Sequence, residues 1–223
     1  MANYPIMLNL EKKHCVVVGG GKVATRKIKA LLEAKALITV VSPVCSEEIK
    51  EWAKTNLLVL KEKHFEKNDV INNFLVIAAT NSKETNFQVY DAVSQQQLIN
   101  VVDQPGISTF IVPTVLRRGK LAIAISTSGG SPSLAQKIKA DMEEVFDNSY
   151  EQYLEFLDAT RKEIKTKCKD VRVRGVFLKH LLDPIYLDLT RQGKYVERRQ
   201  YFVDYVNNQN QGTIIMLLDS TIM

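Results

Sequence analysis

Residues 14–27 read HCVVVGGGKVATRK: an apolar, β-branched run, three consecutive glycines, and then residues that propagate a helix. Few arrangements constrain a fold more tightly, because the chain must turn sharply from strand to helix where side chains are almost absent. In the spacing Gly19-x-Gly21-x-x-Ala24, Gly19 permits the tight turn and Gly21 lets backbone approach an anionic ligand. Ala24 allows the helix to pack close to the strand. The backbone N–H groups of Lys22 and Val23 then open the helix and point at a pyrophosphate. The plainer alternative is a glycine-rich turn that only joins strand to helix.

Further apolar runs at Cys15–Val18, Leu37–Val41, Leu57–Leu60, Phe74–Ala78 and Ile99–Val102 alternate with polar or amphipathic segments. That rhythm predicts an α/β fold with a Rossmann-type parallel sheet, and the unbroken apolarity of the runs predicts strands covered on both faces. Helices are expected over Val23–Ala34, Glu47–Lys54 and Glu84–Gln95. In the first, Ile28, Leu31 and Leu32 face the core and Arg26, Lys27 and Lys29 stay solvated. Beyond Pro113 a strand is expected at Leu121–Ile125 and a helix at Pro132–Phe146, capped by Ser131 with Pro132 in its first turn. The remainder reads as helical, with a capping box from Ser149 and Gln152 and helices over Val173–Leu182 and Tyr195–Asn207. Asp183-Pro184 and Gln192-Gly193 read as interruptions. The apolar run at 214–218 is too short to span a bilayer.

At 223 residues the chain can bury a substantial core. It lacks the roughly 18 consecutive apolar residues of a membrane-spanning helix, and its first residues lack a signal-peptide pattern, so a cytoplasmic protein without membrane association is expected. Cys15, Cys45 and Cys168 are too few and scattered for a disulfide framework, and His14, His64 and His180 form no zinc motif, so no metal is expected. The net charge is +5, and residues 114–140 hold Arg117, Arg118, Lys120, Lys137 and Lys139 with no acidic residue. Such a field suits a polyanionic small molecule. No nucleic-acid-binding motif accompanies it, so nucleic acid is not the expected partner.

The acidic residue that usually grips an adenosine ribose about 20 residues past the glycines is replaced by Ser42-Pro43-Val44. Ser42 can hydrogen-bond a ribose hydroxyl and no Arg stands there for a 2′-phosphate, which favours NAD over NADP. Asp103 follows the strand expected at Ile99–Val102, at the end of the sheet where α/β folds bind ligands. It is a candidate general base, the alternative being a turn former in Asp103-Gln104-Pro105-Gly106.

Three stretches in this order, YPIMLNLEKKHCVVVGGGKVATRKIKALLEAKALITVVSP, FLVIAATNSKETN and INVVDQPGISTFIVPTVLRRGKLAIAISTSGGSPSLAQKIK, resemble the precorrin-2 dehydrogenase/sirohydrochlorin ferrochelatase family, which includes the N-terminal module of siroheme synthase. The resemblance covers residues 3–146. It implies an NAD-binding Rossmann domain over residues 1–113, a dimerisation segment over 114–147 and a small helical domain over 148–223, assembled as a homodimer. It implies NAD-dependent oxidation of precorrin-2 to sirohydrochlorin in siroheme biosynthesis. By motif position Lys22, Val23, Pro43, Val44 and Thr80 line the nucleotide, and Asp103 matches a functionally important aspartate. Thr127 falls where some members carry a phosphorylatable serine.

Precorrin-2 is a polycarboxylate, so Arg117, Arg118, Lys120 and Lys137 are candidate substrate ligands, joined by Ser126, Thr127 and Ser128 at the start of a helix. Their plainer roles are surface solvation and helix capping. Two other functions remain open from the residues: a bifunctional dehydrogenase and ferrochelatase, and a non-catalytic NAD- or tetrapyrrole-binding protein.

Overall fold

The computed structural model describes residues 3–209, so the apolar run at 214–218 lies outside the described residues. The chain divides into two units, Met1–Val112 and Pro113–Met223.

The first unit is built on five parallel strands: β1 (His14–Val18), β2 (Leu37–Val41), β3 (Val59–Lys61), β4 (Leu75–Ala78) and β5 (Leu98–Val101), in the order β3-β2-β1-β4-β5. Three helices, α1 (Lys22–Glu33), α2 (Glu47–Lys54) and α3 (Lys83–Ala92), supply crossovers, and a single 3-10 turn, Lys67–Val70, stands between β3 and β4. Strand alternation sorts the core into two layers. Cys15 and Val17 of β1 join Ala24, Ile28 and Leu31 of α1 and Ile49 of α2 on one face. Val16 and Val18 join Val70, Val89 and Ile99 on the other. Both faces are therefore closed to water, which explains why β4 is buried at every position. The expected α/β architecture is observed, with β3 shifted to Val59–Lys61 and α3 ending at Ala92.

The second unit opens with an antiparallel hairpin, β6 (Thr114–Arg118) and β7 (Leu121–Ile125), followed by α4 (Pro132–Val145), α5 (Ser149–Lys167), α6 (Val171–His180), α7 (Pro184–Arg191) and α8 (Tyr195–Gln209). Ser131 caps α4 through Leu134 N–H at 3.2 Å, with Pro132 in the first turn. Three expectations change. β6 was not anticipated, since it ends in two arginines and only Leu116 is fully buried; pairing with β7 makes it a strand. Asp183-Pro184 begins a helix rather than interrupting one. Asp183 Oδ1 accepts from Ile185 N–H at 3.1 Å, and a proline in the first turn forfeits no helical bond. The Ser149–Gln152 capping box is absent: Asn148 is the cap residue, and Asp147 Oδ1 takes the Ser149 N–H at 2.8 Å instead.

The helical core centres on Phe177, Tyr186 and Phe202, all essentially inaccessible. Arg198, 8% exposed, lies 4.2 Å over the Phe156 ring and donates to Thr190 Oγ1 at 2.7 Å. The half-buried His180 ring stacks on Tyr205 with centroids 3.4 Å apart. Burial lowers the His180 pKa below its usual 6.5, with Asp183 opposing. A histidine with a depressed folded pKa contributes fully above its unfolded pKa, and that contribution is lost as pH falls towards the folded one. Thermal unfolding of wild type and His180→Phe should therefore converge above neutrality and separate below about pH 6.5, with the variant losing less stability to acid. A parallel pH response in the two proteins would contradict this.

Candidate active site

The strand order reverses between β1 and β4, and there the carboxyl ends of the strands leave a crevice for a ligand. The three glycines fill that position, and the first two are required by different neighbours. Gly19 has φ +118°, and a Cβ on it would lie 2.3 Å from the Ala79 carbonyl oxygen at the end of β4. A Cβ on Gly20 would lie 2.4 Å from the Val44 carbonyl oxygen in the loop after β2. A Cβ on Gly21 would meet open space. The first two glycines thus let the turn nest between its neighbours, whereas the third faces outward. The sequence motif left Gly20 as an unassigned position; its need is set by the loop from the next strand.

Gly21 is also the N-cap of α1, where no side chain caps the helix and no acidic residue occupies the first turn. Those N-terminal amides and the helix dipole favour an anion. Lys22 and Val23 are exposed at this end, and Ala24 is fully buried against the sheet, as its motif role requires. These residues fit a dinucleotide pyrophosphate: open space at Gly21, an uncapped helix start and backbone able to come close.

Two loops border the turn. After β2, Pro43 and Val44 are exposed, but Ser42 is buried and its hydroxyl donates to the Val44 carbonyl at 2.8 Å. Its proton is therefore engaged within the loop rather than offered outward. After β4, Thr80 is held by Asn86, a side chain the sequence did not single out. Asn86 Oδ1 accepts from Thr80 N–H at 3.1 Å and Nδ2 donates to the Thr80 carbonyl at 3.1 Å. Asn86 is 5% exposed, so α3 fixes this loop from beneath.

Asp103 lies two residues past the end of β5, is exposed, and adopts the left-handed conformation at φ +60°. The chain then folds back beside β5. Ser108 Oγ accepts from Val101 N–H at 2.9 Å, and Thr109 Oγ1 accepts from Ile99 N–H at 2.8 Å. These hydroxyls complete the open side of β5 and hold the Asp103 turn in place; neither carried a recognisable signal in the sequence. Lys27, expected to be solvated, is half-buried and donates from Nζ to Asn100 Oδ1 at 2.8 Å.

The basic and hydroxyl candidates lie in the second unit. Lys120 is ion-paired with Asp158, which Lys162 also reaches at 3.0 Å, and the two ammonium groups hold the Asp158 carboxyl down at about 2. Lys137 is exposed, with Asp141 3.8 Å away. Arg117 is exposed; Arg118 donates to the Arg117 carbonyl at 2.9 Å and has a buried Nε without a hydrogen-bond partner. Thr127 closes its own loop, its hydroxyl bonding Ser131 N–H and carbonyl at 3.1 and 3.0 Å, while Ser126 and Ser128 are exposed. Cys15, Cys45 and Cys168 are free and buried, and burial pushes the Cys15 thiol up to about 11. Among the described residues, no group of three or more His, Cys, Asp or Glu side chains is placed to hold a metal ion.

A parallel sheet with a glycine turn at its switch point and an uncapped helix behind it defines a dinucleotide-binding protein of the Rossmann class. Residues 6–114 match the family described as "putative NAD(P)-binding", and residues 118–144 match the sirohaem biosynthesis protein central family. The chain is 36% identical to the precorrin-2 dehydrogenase of Priestia megaterium over 87% of its own length and 97% of the relative's. It is 35% identical to the siroheme synthase of Nitrosococcus oceani, matching 82% of its own length but 39% of that longer protein. Among solved structures it matches SirC, a precorrin-2 dehydrogenase, with a TM-score of 0.78 and 34% identity over 92% of this chain and all of that one. The chain belongs to the precorrin-2 dehydrogenase family.

The glycines separate folding from binding. Gly21→Val should leave the melting temperature unchanged and weaken NAD binding about tenfold or more, because its side chain projects into the anion's space. Gly20→Ala should instead cost about 1–3 kcal/mol of stability by displacing the loop after β2. Denaturant titration with equilibrium dialysis of NAD distinguishes the two; equal NAD affinity in Gly21→Val and wild type would contradict the assignment.

Proposed function

We propose that the chain is an NAD-dependent dehydrogenase that oxidises precorrin-2 to sirohydrochlorin in siroheme biosynthesis. The observation that carries this reading is the match to a precorrin-2 dehydrogenase along nearly the whole of both chains. The site geometry is consistent with it. Gly19, Gly21, Lys22, Val23 and Ala24 form the pyrophosphate cradle, with Pro43, Val44 and Thr80 on the bordering loops. Ser42 contributes by shaping its loop. NAD is favoured over NADP because no arginine stands at the end of β2 to neutralise a 2′-phosphate.

The bound nicotinamide supplies the hydride acceptor. Oxidation of the macrocycle also releases a proton, and Asp103 is the proposed acceptor. Its carboxylate is exposed on a turn fixed by Ser108 at the carboxyl end of β5, so it can approach a substrate without rearrangement of the strand. Arg117, Arg118 and Lys137 are proposed ligands for substrate carboxylates on the strength of their charge, and Lys120 less so, because Asp158 offsets its ammonium. Ser126 and Ser128 can donate to carboxylates, whereas Thr127 acts in closing its loop.

We also propose a cytoplasmic homodimer. Among the described residues no helix is long and apolar enough to cross a membrane, and the three buried cysteines are unpaired. The β6–β7 hairpin is a two-stranded sheet, so each strand leaves an outer edge on which a second copy can pair.

Anaerobic mixing of protein, NAD and precorrin-2 should produce the NADH absorbance band together with sirohydrochlorin. Asp103→Asn should lower kcat by about 100-fold or more while leaving NAD affinity within about twofold. NAD binding without NADH formation by the unaltered protein would mark it as a non-catalytic binder and overturn the proposal.

A further inference from the structure

Of the buried residues of α1, which are Ala24, Thr25, Ile28 and Leu31, only Thr25 is polar. Valine has nearly the same shape and would suit such a position with no hydroxyl to satisfy. The Thr25 hydroxyl is instead bonded twice. Its Oγ1 donates to the Gly21 carbonyl at 3.1 Å and lies 2.9 Å from Ser46 Oγ, at the start of α2. Ser46 caps α2 by accepting from Ile49 N–H at 3.4 Å, and its own N–H donates to the Gly20 carbonyl at 2.9 Å. A hydroxyl has a single proton to give. With the Thr25 proton on Gly21, the Ser46 hydroxyl donates to Thr25, and the bonds run in one direction from α2 to the glycine turn.

The consequence falls on the amides of the turn. Its peptide bonds are trans, so each carbonyl and the N–H of the next residue point in opposite directions. Ser46 N–H draws the Gly20 carbonyl toward the loop after β2. Thr25, through its N–H at 3.0 Å and its hydroxyl, draws the Gly21 carbonyl into the helix. The N–H groups of Gly21 and Lys22 are thereby turned the other way, next to the open space at Gly21. The same serine closes the loop that carries the exposed Pro43 and Val44. One pair of hydroxyls therefore joins two of the chain segments that border the nucleotide crevice.

We propose that Thr25 and Ser46 are positioning residues for the dinucleotide: their joined hydroxyls hold the amides of Gly21 and Lys22 and the loop at 42–45 in one arrangement, so that the pyrophosphate and the adenosine half of NAD meet surfaces already set relative to each other. The inference rests on the dinucleotide-binding reading and extends it to residues beneath the cradle. Neither side chain needs to touch the nucleotide. Each acts through a carbonyl or a loop, and the cofactor gains because the turn and the loop need no ordering when it binds. A pair that serves packing alone predicts the reverse, a weaker fold with NAD affinity intact.

The test measures NAD binding by equilibrium dialysis, with thermal unfolding alongside, for wild type, Thr25→Val, Thr25→Ser, Ser46→Gly and the double variant Thr25→Val/Ser46→Gly. Glycine at 46 removes the hydroxyl yet remains a tolerated helix cap. Thr25→Val should raise the NAD dissociation constant about fivefold, the size of one lost hydrogen bond, and Thr25→Ser should return it to within about twofold of wild type. Ser46→Gly should weaken NAD binding similarly, and the double variant should fall well short of the product of the two single losses, because either change breaks the same link. Should Thr25→Val fail to fold, Ser46→Gly carries the same expected loss of affinity. Wild-type affinity in the variants that lack a hydroxyl overturns the inference, as does a loss that serine at 25 does not restore or one that multiplies in the double variant. Absence of NAD binding by the unaltered protein sinks the dinucleotide reading itself; binding there, matched by Thr25→Val, sinks only the role of the hydroxyl pair.

Discussion

Close approach of backbone to backbone at the Gly19–Gly21 turn is the constraint from which the site follows. Gly19 lets the end of β1 lie against the end of β4, and Gly20 does the same against the loop after β2. The carboxyl ends of three adjacent strands are thereby drawn around one helix start. With those two positions used up by packing, the N-terminus of α1 remains open on its outward side at Gly21. Charge selection then comes from the helix itself, whose first amides have neither a side-chain cap nor an acidic neighbour.

The far side of the crevice is built differently. β5 is an edge strand, and its outer hydrogen-bonding groups are taken by Ser108 and Thr109 on the returning chain. Side-chain hydroxyls thus do what another strand would otherwise do, and the short loop they close carries Asp103 in a left-handed backbone state. Asn86 performs a similar service under Thr80. In both cases side-chain hydrogen bonds fix a loop that carries a candidate site residue. Rigid support beneath an exposed reactive group lets such a site act without first ordering itself.

How much of this was legible in the sequence depends on whether the determinant was local. The parallel sheet, its order of strands and helices and the glycine turn were readable, because an apolar run and a 3.6-residue period are properties of contiguous residues. Asp183-Pro184 was misread since the same dipeptide stops one helix and starts another; the cap bond to Ile185 decides, and the sequence does not display it. β6 was missed because its strand character comes from its partner. Gly20, Asn86, Ser108 and the Lys27–Asn100 pair escaped for a common reason: each acts across gaps in the chain, up to 73 residues for the last. Lys27 in particular sits at a helical position that a periodicity argument assigns to solvent, and only the arrival of β5 beneath it reveals the buried contact.

Amide hydrogen exchange with and without NAD reports whether the free amides at the start of α1 receive the dinucleotide. Slower exchange is expected with NAD, concentrated in residues 19–25 and in the bordering loops at 42–45 and 79–82. Unchanged exchange at residues 19–25 under saturating NAD, with protection appearing elsewhere, would contradict it.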